Sequence, residues 1–322
     1  MSQAWPTGVI CVDKLTKRYG DQTAVDGLSL VVPEGAVFGL LGENGAGKTT
    51  TLQTLLGLIA PDAGKVEVLG LDPSRFGIQV RRQVGYVPEV PALYDWMNVN
   101  EIGWFAAGFH AEESSGTASY LSRYMRLIEG FGLPSKRKIK ALSKGMRAKV
   151  SLALALASDP ALLILDEPTS GLDVLVRREF LESMVDLAGN GRTVLLSSHQ
   201  IGEVERVASH IALMHQGKLL LAEPLDELRA RTFAISLTFN TRDHPKRPPA
   251  NFPLELIDVD DAPRQAVWLV HARDRAACEG MRTLPEVESV RVETPSLEDI
   301  YIGYMRSRRP EAPAPAAAIF VA

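Results

Sequence analysis

The stretch Val37-Phe-Gly-Leu-Leu-Gly-Glu-Asn-Gly-Ala-Gly-Lys-Thr-Thr50 leaves this chain few folds to choose from. Gly42, Gly47, Lys48 and Thr49 meet the spacing G-x-x-x-x-G-K-[ST]. An apolar run precedes them, and Leu52, Leu55, Leu56 and Ile59 follow on one helical face. The order is therefore strand, glycine loop, helix. Such a loop, here Gly42, Glu43, Asn44, Gly45, Ala46, Gly47, Lys48, Thr49 and Thr50, turns backbone N–H groups inward around phosphate oxygens. The new helix adds the positive end of its dipole. Lys48 is placed to reach the outer phosphates and the Thr49 hydroxyl to reach a magnesium ion, so a nucleoside triphosphate is the expected ligand.

The rest of the composition narrows what surrounds that loop. A chain of 322 residues exceeds one small core, so a main domain with a smaller appended one is expected. A net charge of −4 gives no basic excess for nucleic acid. Only Cys11 and Cys278 are present; two distant cysteines without metal spacing argue for a reducing compartment and against disulfides or zinc. Met1 to Gly8 lacks the charged-then-apolar pattern of a secretory signal. No apolar run approaches the ~20 residues of a bilayer span, since even Val150 to Leu165 is broken at Ser158-Asp159-Pro160. Direct membrane insertion is not expected, and a membrane role has to come through a partner.

In chain order, Val9 to Val12, Leu28 to Val32 and Lys65 to Leu69 read as strands, with Tyr19 in the intervening turn. Val84 to Val87 is a short strand ended by proline. A helical insertion over about 90–160 follows. Asn98 with Glu101 resembles a capping box, and Leu121, Tyr124, Met125, Ile128 and Phe131 recur at helical spacing. The short basic cluster Lys136 to Arg147 reads as a solvated face, and Ser143 is a natural cap for the helix running to Ala157. Leu162 to Asp166 is a buried parallel strand ending in acids, Thr193 to Ser197 another, Ile211 to Met214 one more. The alternation predicts an α/β fold with a largely parallel sheet. From about Ala230 the texture changes. Phe233 to Phe239, Ala266 to Val270 and Val287 to Val292 read as strands and Asp274 to Leu284 as a helix, giving a small α+β domain over 230–305. A flexible Pro-Ala tail over 306–322 follows the first domain, 1–229, and this second one.

Ligands of open α/β sheets bind at the carboxyl ends of the strands, where Asp166, Glu167 and His199 fall. Asp166 is the expected magnesium partner through Thr49 and water. Glu167 is placed to polarise an attacking water and His199 to contact the same phosphate.

With these residues in this order, the chain resembles the ATP-binding subunits of ABC transporters from about Val9 to Leu228. The resemblance implies that Tyr19 stacks on adenine, that Gly42 to Thr50 is the Walker A loop, and that Leu162 to Asp166 is the Walker B strand of a P-loop NTPase sheet with a helical subdomain. It makes Glu167 the catalytic base, His199 the switch histidine and Ser170-Gly-Leu-Asp173 the D-loop, with Asp173 beside the nucleotide. Leu142-Ser-Lys-Gly-Met146 is similar to the family signature, whose Ser143 and Gly145 face the ATP of the opposite subunit. Lys144 and Met146 replace the commonest glycine and glutamine. Glu89 stands where glutamine is usual and adds an anion near magnesium. Both departures, and Pro295 to Ile300, are similar to bacterial exporter-type subunits. The implied assembly is a homodimer with ATP and magnesium, attached to integral membrane permease subunits on the cytoplasmic face of the membrane. The alternative is a soluble member with a role in translation or DNA repair. The single uninterrupted cassette favours transport, and the presence of Glu167 argues against a non-catalytic regulatory module.

Overall fold

The computed structural model describes residues 7–110 and 116–307. Residues 1–6, part of the segment expected not to be a secretory signal, and 308–322, most of the expected tail, lie outside them. The chain divides into two compact units between Leu225 and Asp226.

The first unit opens with β1 (Ile10–Tyr19), β2 (Gln22–Val32), β3 (Val37–Leu41), α1 (Lys48–Leu55), β4 (Ala63–Val68), α2 (Pro73–Gln83) and β5 (Val84–Val87). It continues with α3 (Val99–Ala107), α4 (Gly116–Gly130), α5 (Lys144–Ala157), β6 (Leu162–Asp166), α6 (Val174–Gly189), β7 (Thr193–Ser198), α7 (Ile201–Val204), β8 (His210–His215) and β9 (Lys218–Pro224). The strands form two sheets. One has the order β5-β6-β7-β3-β8-β9, parallel except for the antiparallel edge β9. The other, β2-β1-β4, is wholly antiparallel. The expected largely parallel sheet is present, and a separate antiparallel layer of β1, β2 and β4 is added to it. Helix α1 is packed between the two, with Leu52, Leu55 and Leu56 in one core with Ile10, Leu28, Val68, Leu40 and Ile164.

Strand β1 runs further than the Val9 to Val12 reading. Its register shifts between Val12 and Leu15 and again before Lys17, and each bulge breaks the two-residue alternation by which a strand is recognised. The hairpin then turns at Tyr19 to Gln22, leaving Tyr19 at a strand end rather than in a long turn.

The helical insertion has its own core, built from Val99, Ile102, Tyr120, Tyr124, Ile128, Ile139 and Val150. Its helices are capped as their sequences demand. Asn98 accepts from Glu101 N while Glu101 reaches back to Asn98 N, and Ser143 Oγ accepts from Met146 N at 3.2 Å. Phe131 falls just past the end of α4.

Helix α8 (Leu225–Arg231) spans the boundary between units. The second unit contains β10 (Thr232–Phe239), β11 (Leu254–Ala262), β12 (Gln265–Ala272), α9 (Arg275–Glu279), β13 (Val287–Glu293) and α10 (Leu297–Ser307). Its antiparallel sheet has the order β11-β12-β10-β13 around a core of Phe239, Trp268, Cys278 and Met281. The predicted helix over Asp274 to Leu284 is shorter: regular α-helix ends at Glu279, and a tighter 3-10 turn carries Gly280–Thr283. Arg306 and Ser307, assigned to the tail from sequence, close α10.

Candidate functional site

The register of the parallel sheet assembles the site. Leu41 lies beside Ser198, and Asp166 beside Ser197, so the loop after β3 and the residues ending β6 and β7 meet at one carboxyl-terminal edge. Two glycines are dictated by close approach. A Cβ on Gly42 would stand 2.4 Å from Met214 O; one on Gly47 would stand 2.3 Å from Ala24 O, and Gly47 also adopts φ +100. No L side chain fits either place cheaply. Helical hydrogen bonding begins only with Thr51 N donating to Gly47 O. The N–H groups at the start of α1 thus have no helical carbonyl to bond, the usual condition of a helix start. Glu43, Asn44, Gly45 and Thr49 are exposed, whereas Ala46 and Lys48 are buried.

Inside the loop the Lys48 ammonium donates to Gly42 O at 2.7 Å and Glu43 O at 3.2 Å. It also pairs with Glu167 Oε1 at 3.0 Å, both side chains being buried. The Thr49 hydroxyl donates to Asp166 Oδ1 at 3.2 Å. Glu167 follows the strand rather than alternating within it. It has φ +46, a left-handed conformation that costs a non-glycine residue roughly 1–2 kcal/mol, and strain of this kind gathers at functional sites. Two bonds hold it there: Glu167 N donates to Ser197 Oγ at 2.9 Å, and Glu167 O accepts from Ser170 N at 3.0 Å. Its other oxygen, Oε2, receives His199 Nδ1 at 2.7 Å and His199 N at 3.3 Å. An ionised carboxylate only accepts, so Nδ1 carries the hydrogen and Nε2 is left for a ligand.

Ser197 is the residue that sequence reasoning passed over. Its hydroxyl donates to Asp166 Oδ1 at 2.6 Å while accepting from Glu167 N, so one side chain sets both acids. The available signal was a pair of serines closing a fully buried strand, Thr-Val-Leu-Leu-Ser-Ser. On neighbouring β5, burial and then the charge of Asp166 push the Tyr86 phenol up to about 12, which keeps it neutral beside the acid.

Lys48, Thr49, Asp166, Glu167 and His199 therefore form one bonded cluster. Ser143 and Gly145 stand at the start of α5, and Asp173 caps α6 through Val176 N at 3.0 Å; none of them bonds to the cluster among the described residues. Tyr19 is 49% exposed at the end of β1, with Lys17 Nζ 5.7 Å from its ring centre. Glu89 is exposed in the turn after β5, and no bond joins it to Thr49 or Asp166. Among the described residues no group of three or more His, Cys, Asp or Glu could hold a metal by itself.

A strand, a glycine-lined phosphate loop and acids at the end of β6, one strand removed in the same sheet, define a P-loop nucleotide-binding protein. Comparison with known proteins narrows the class: the ABC transporter pattern matches residues 25–170. The daunorubicin resistance ATP-binding protein DrrA3 of Streptomyces coeruleorubidus is 34% identical over 91% of this chain and 94% of its own length. The Nod factor export ATP-binding protein I of Ralstonia nicotianae is 39% identical over 66% of each. Among solved structures, the ATP-binding subunit of an ABC transporter superposes with a TM-score of 0.62 at 32% identity, over 69% of this chain and 92% of that one. The chain belongs to the ABC transporter family as an ATP-binding subunit, and its activity is ATP hydrolysis that drives transport. Subunits of this kind work with membrane permease components, and no described helix is long and apolar enough to cross a membrane. A non-transport role in translation or DNA repair is not favoured by these relatives.

Proposed function

We propose that this subunit powers export through a separate membrane permease from its cytoplasmic face, as a homodimer that closes over two ATP molecules with magnesium. The observation that carries the reading is the cluster in which Glu167 bridges Lys48 and His199 beside the Thr49–Asp166 bond. The residues fit both ATP and magnesium. Loop N–H groups of Gly42 to Thr50 and the Lys48 ammonium suit phosphates. Thr49 with Asp166 suits magnesium, which takes one or two carboxylates and completes its shell with water and phosphate oxygens. That ion would neutralise charge developing on the transferred phosphoryl group. Glu167 is the proposed base that accepts a proton from the attacking water, oriented by Ser197 and His199. Tyr19, exposed at its strand end, is the proposed adenine platform, and Glu89 a further group near magnesium. Ser143, Gly145 and Asp173 are assigned to the partner's nucleotide, which agrees with their lack of bonds to this chain's own cluster. Residues 1–229 form the ATP-binding domain in this reading, and 230–305 an accessory domain.

An export role is supported by the word export in the name of the Ralstonia relative. The permease contact is assigned to Tyr94, Trp96, Phe105 and Phe109. They stand 47%, 67%, 43% and 73% exposed and touch in sequence, Trp96–Tyr94–Phe105–Phe109, with ring centres 5.3–6.0 Å apart. Met97 beside them is part of the helical core. Size-exclusion chromatography of Glu167→Gln with and without ATP tests the assembly: an ATP-dependent dimer is expected, abolished by adding Ser143→Arg. A variant that binds ATP and stays monomeric would remove the shared-site reading.

A further inference from the structure

At the amino-terminal end of β7, opposite the edge that carries Glu167, Arg123, Arg126 and Arg192 line a single pocket of about 250 Å³, walled by Leu127 and Leu156. Two of the guanidinium groups are fixed by the protein. Arg123 Nε donates to Ala157 O at 2.7 Å and its Nη1 to Ser119 Oγ at 2.8 Å, while Arg192 Nη2 donates to Asp159 Oδ1 at 2.5 Å. Each keeps further N–H groups, because a guanidinium carries five. Arg126 has no carboxylate or hydrogen-bond acceptor among the described residues and is exposed. Closing the end of α5 accounts for Arg123 and Arg192 but gives Arg126 no role. Three positive charges thus face one bonded carboxylate, in a chain whose net charge is −4.

We propose that this pocket is an anion site for a single phosphate group, with Arg123 and Arg192 as the preset arms and Arg126 as the arm that closes on the ligand. Guanidinium groups match phosphate oxygens in bidentate geometry, and their low hydration makes them the side chain suited to such a site. The volume lies below the ~300–1,000 Å³ that holds drug-sized ligands. That suits inorganic phosphate or a small phosphomonoester. Leu127 and Leu156 offer an apolar wall for the carbon part of a monoester. The site shares no residue with the phosphate loop, so it stands or falls independently of the function proposed above.

The test uses full-length Lys48→Ala protein, in which the phosphate loop is weakened, and follows the arginine Nε–H resonances by NMR. Titration with inorganic phosphate, and separately with glycerol 3-phosphate, should give saturable shifts of Arg123, Arg126 and Arg192. Tighter binding of the ester identifies a metabolite as the source, and equal binding identifies free phosphate. Adding Arg126→Gln should weaken binding about tenfold or more, in keeping with the loss of a charge-assisted bidentate contact. Arg126→Lys, which keeps the charge without the fork, should fall between and gives the same reading if the glutamine variant folds poorly. Arg178→Gln, on the exposed face of α6 where Arg178 pairs with Glu182, should change nothing. Absence of saturable shifts at millimolar phosphate, or an affinity indifferent to Arg126→Gln, overturns the proposal.

Discussion

Replacing Glu167 with glutamine should slow hydrolysis and tighten ATP binding at once, and the second effect is peculiar to the bonding described here. In this structure Lys48 is held by Glu167 Oε1 at 3.0 Å as well as by two loop carbonyls. An incoming phosphate has to compete for that ammonium. Coulomb attraction at 3.0 Å, with an effective dielectric near 20, amounts to about 5.5 kcal/mol, and desolvation of both buried groups offsets most of it. A remainder of about 1.4 kcal/mol, one power of ten in affinity, is the expected gain when a neutral amide replaces the ion pair, loosens the hold on Lys48 and removes a negative charge facing the phosphates. With the amide nitrogen donating to His199 Nδ1, whose hydrogen then moves to Nε2, the side-chain contact survives and the amide oxygen still accepts from Lys48; only the longer contact from His199 N at 3.3 Å is lost. Loss of the proton acceptor should lower turnover by roughly a hundredfold or more, the scale of general-base contributions. Phosphate release under saturating ATP measures the rate, and titration with a fluorescent ATP analogue measures the affinity. Turnover within tenfold of the parent would refute the base assignment; weaker ATP binding would refute the competition for Lys48.

Lys48→Ala should weaken ATP binding roughly ten- to hundredfold, the worth of a hydrogen bond to a charged group, and unchanged affinity in the same titration would mean that the loop does not grip phosphate. Trp96→Ala should lower co-purification with the membrane partner while leaving soluble ATPase activity intact and stability within about 0.5 kcal/mol, as for other exposed substitutions; joint loss of activity and thermal stability would place Trp96 in the fold instead. His271 in the second unit is kept below its ordinary pKa by burial and then by Arg231, so the unfolded chain takes up its proton first as pH falls below about 6.5. His271 therefore contributes stability that is complete above that pH and is lost below it, down to its lowered folded value. Urea denaturation at pH 7.5 and 5.5 should show a smaller acid loss for His271→Phe than for the parent.

The parts of this fold that were legible in sequence are those where local pattern and tertiary role coincide. Leu162 to Leu165 is apolar on both faces because it is central in a parallel sheet, and Asn98 with Glu101 is a cap because both partners lie within one turn. Legibility fails where a distant neighbour decides. Strand β11 reads Leu-Glu-Leu-Ile-Asp-Val-Asp-Asp, too acidic to announce itself, yet at the sheet edge against β12 only one of its faces has to be apolar. Strand β9 and helix α6 were likewise passed over, the first because its residues are only half-buried along an edge. The site divides by the same rule. Lys48, Thr49, Asp166 and Glu167 sit in motifs whose spacing follows from the geometry of phosphate and metal. Ser197 has no motif; its importance comes from β7 lying next to β6 in register, which brings Ser197 beside Asp166. The alternation of a strand would send Asp166 and Glu167 to opposite faces. The left-handed turn at Glu167, with Ser197 bonded to both acids, brings them to one edge instead. Substituting Ser197 therefore disturbs two acids through one hydroxyl, although no spacing rule would have nominated it.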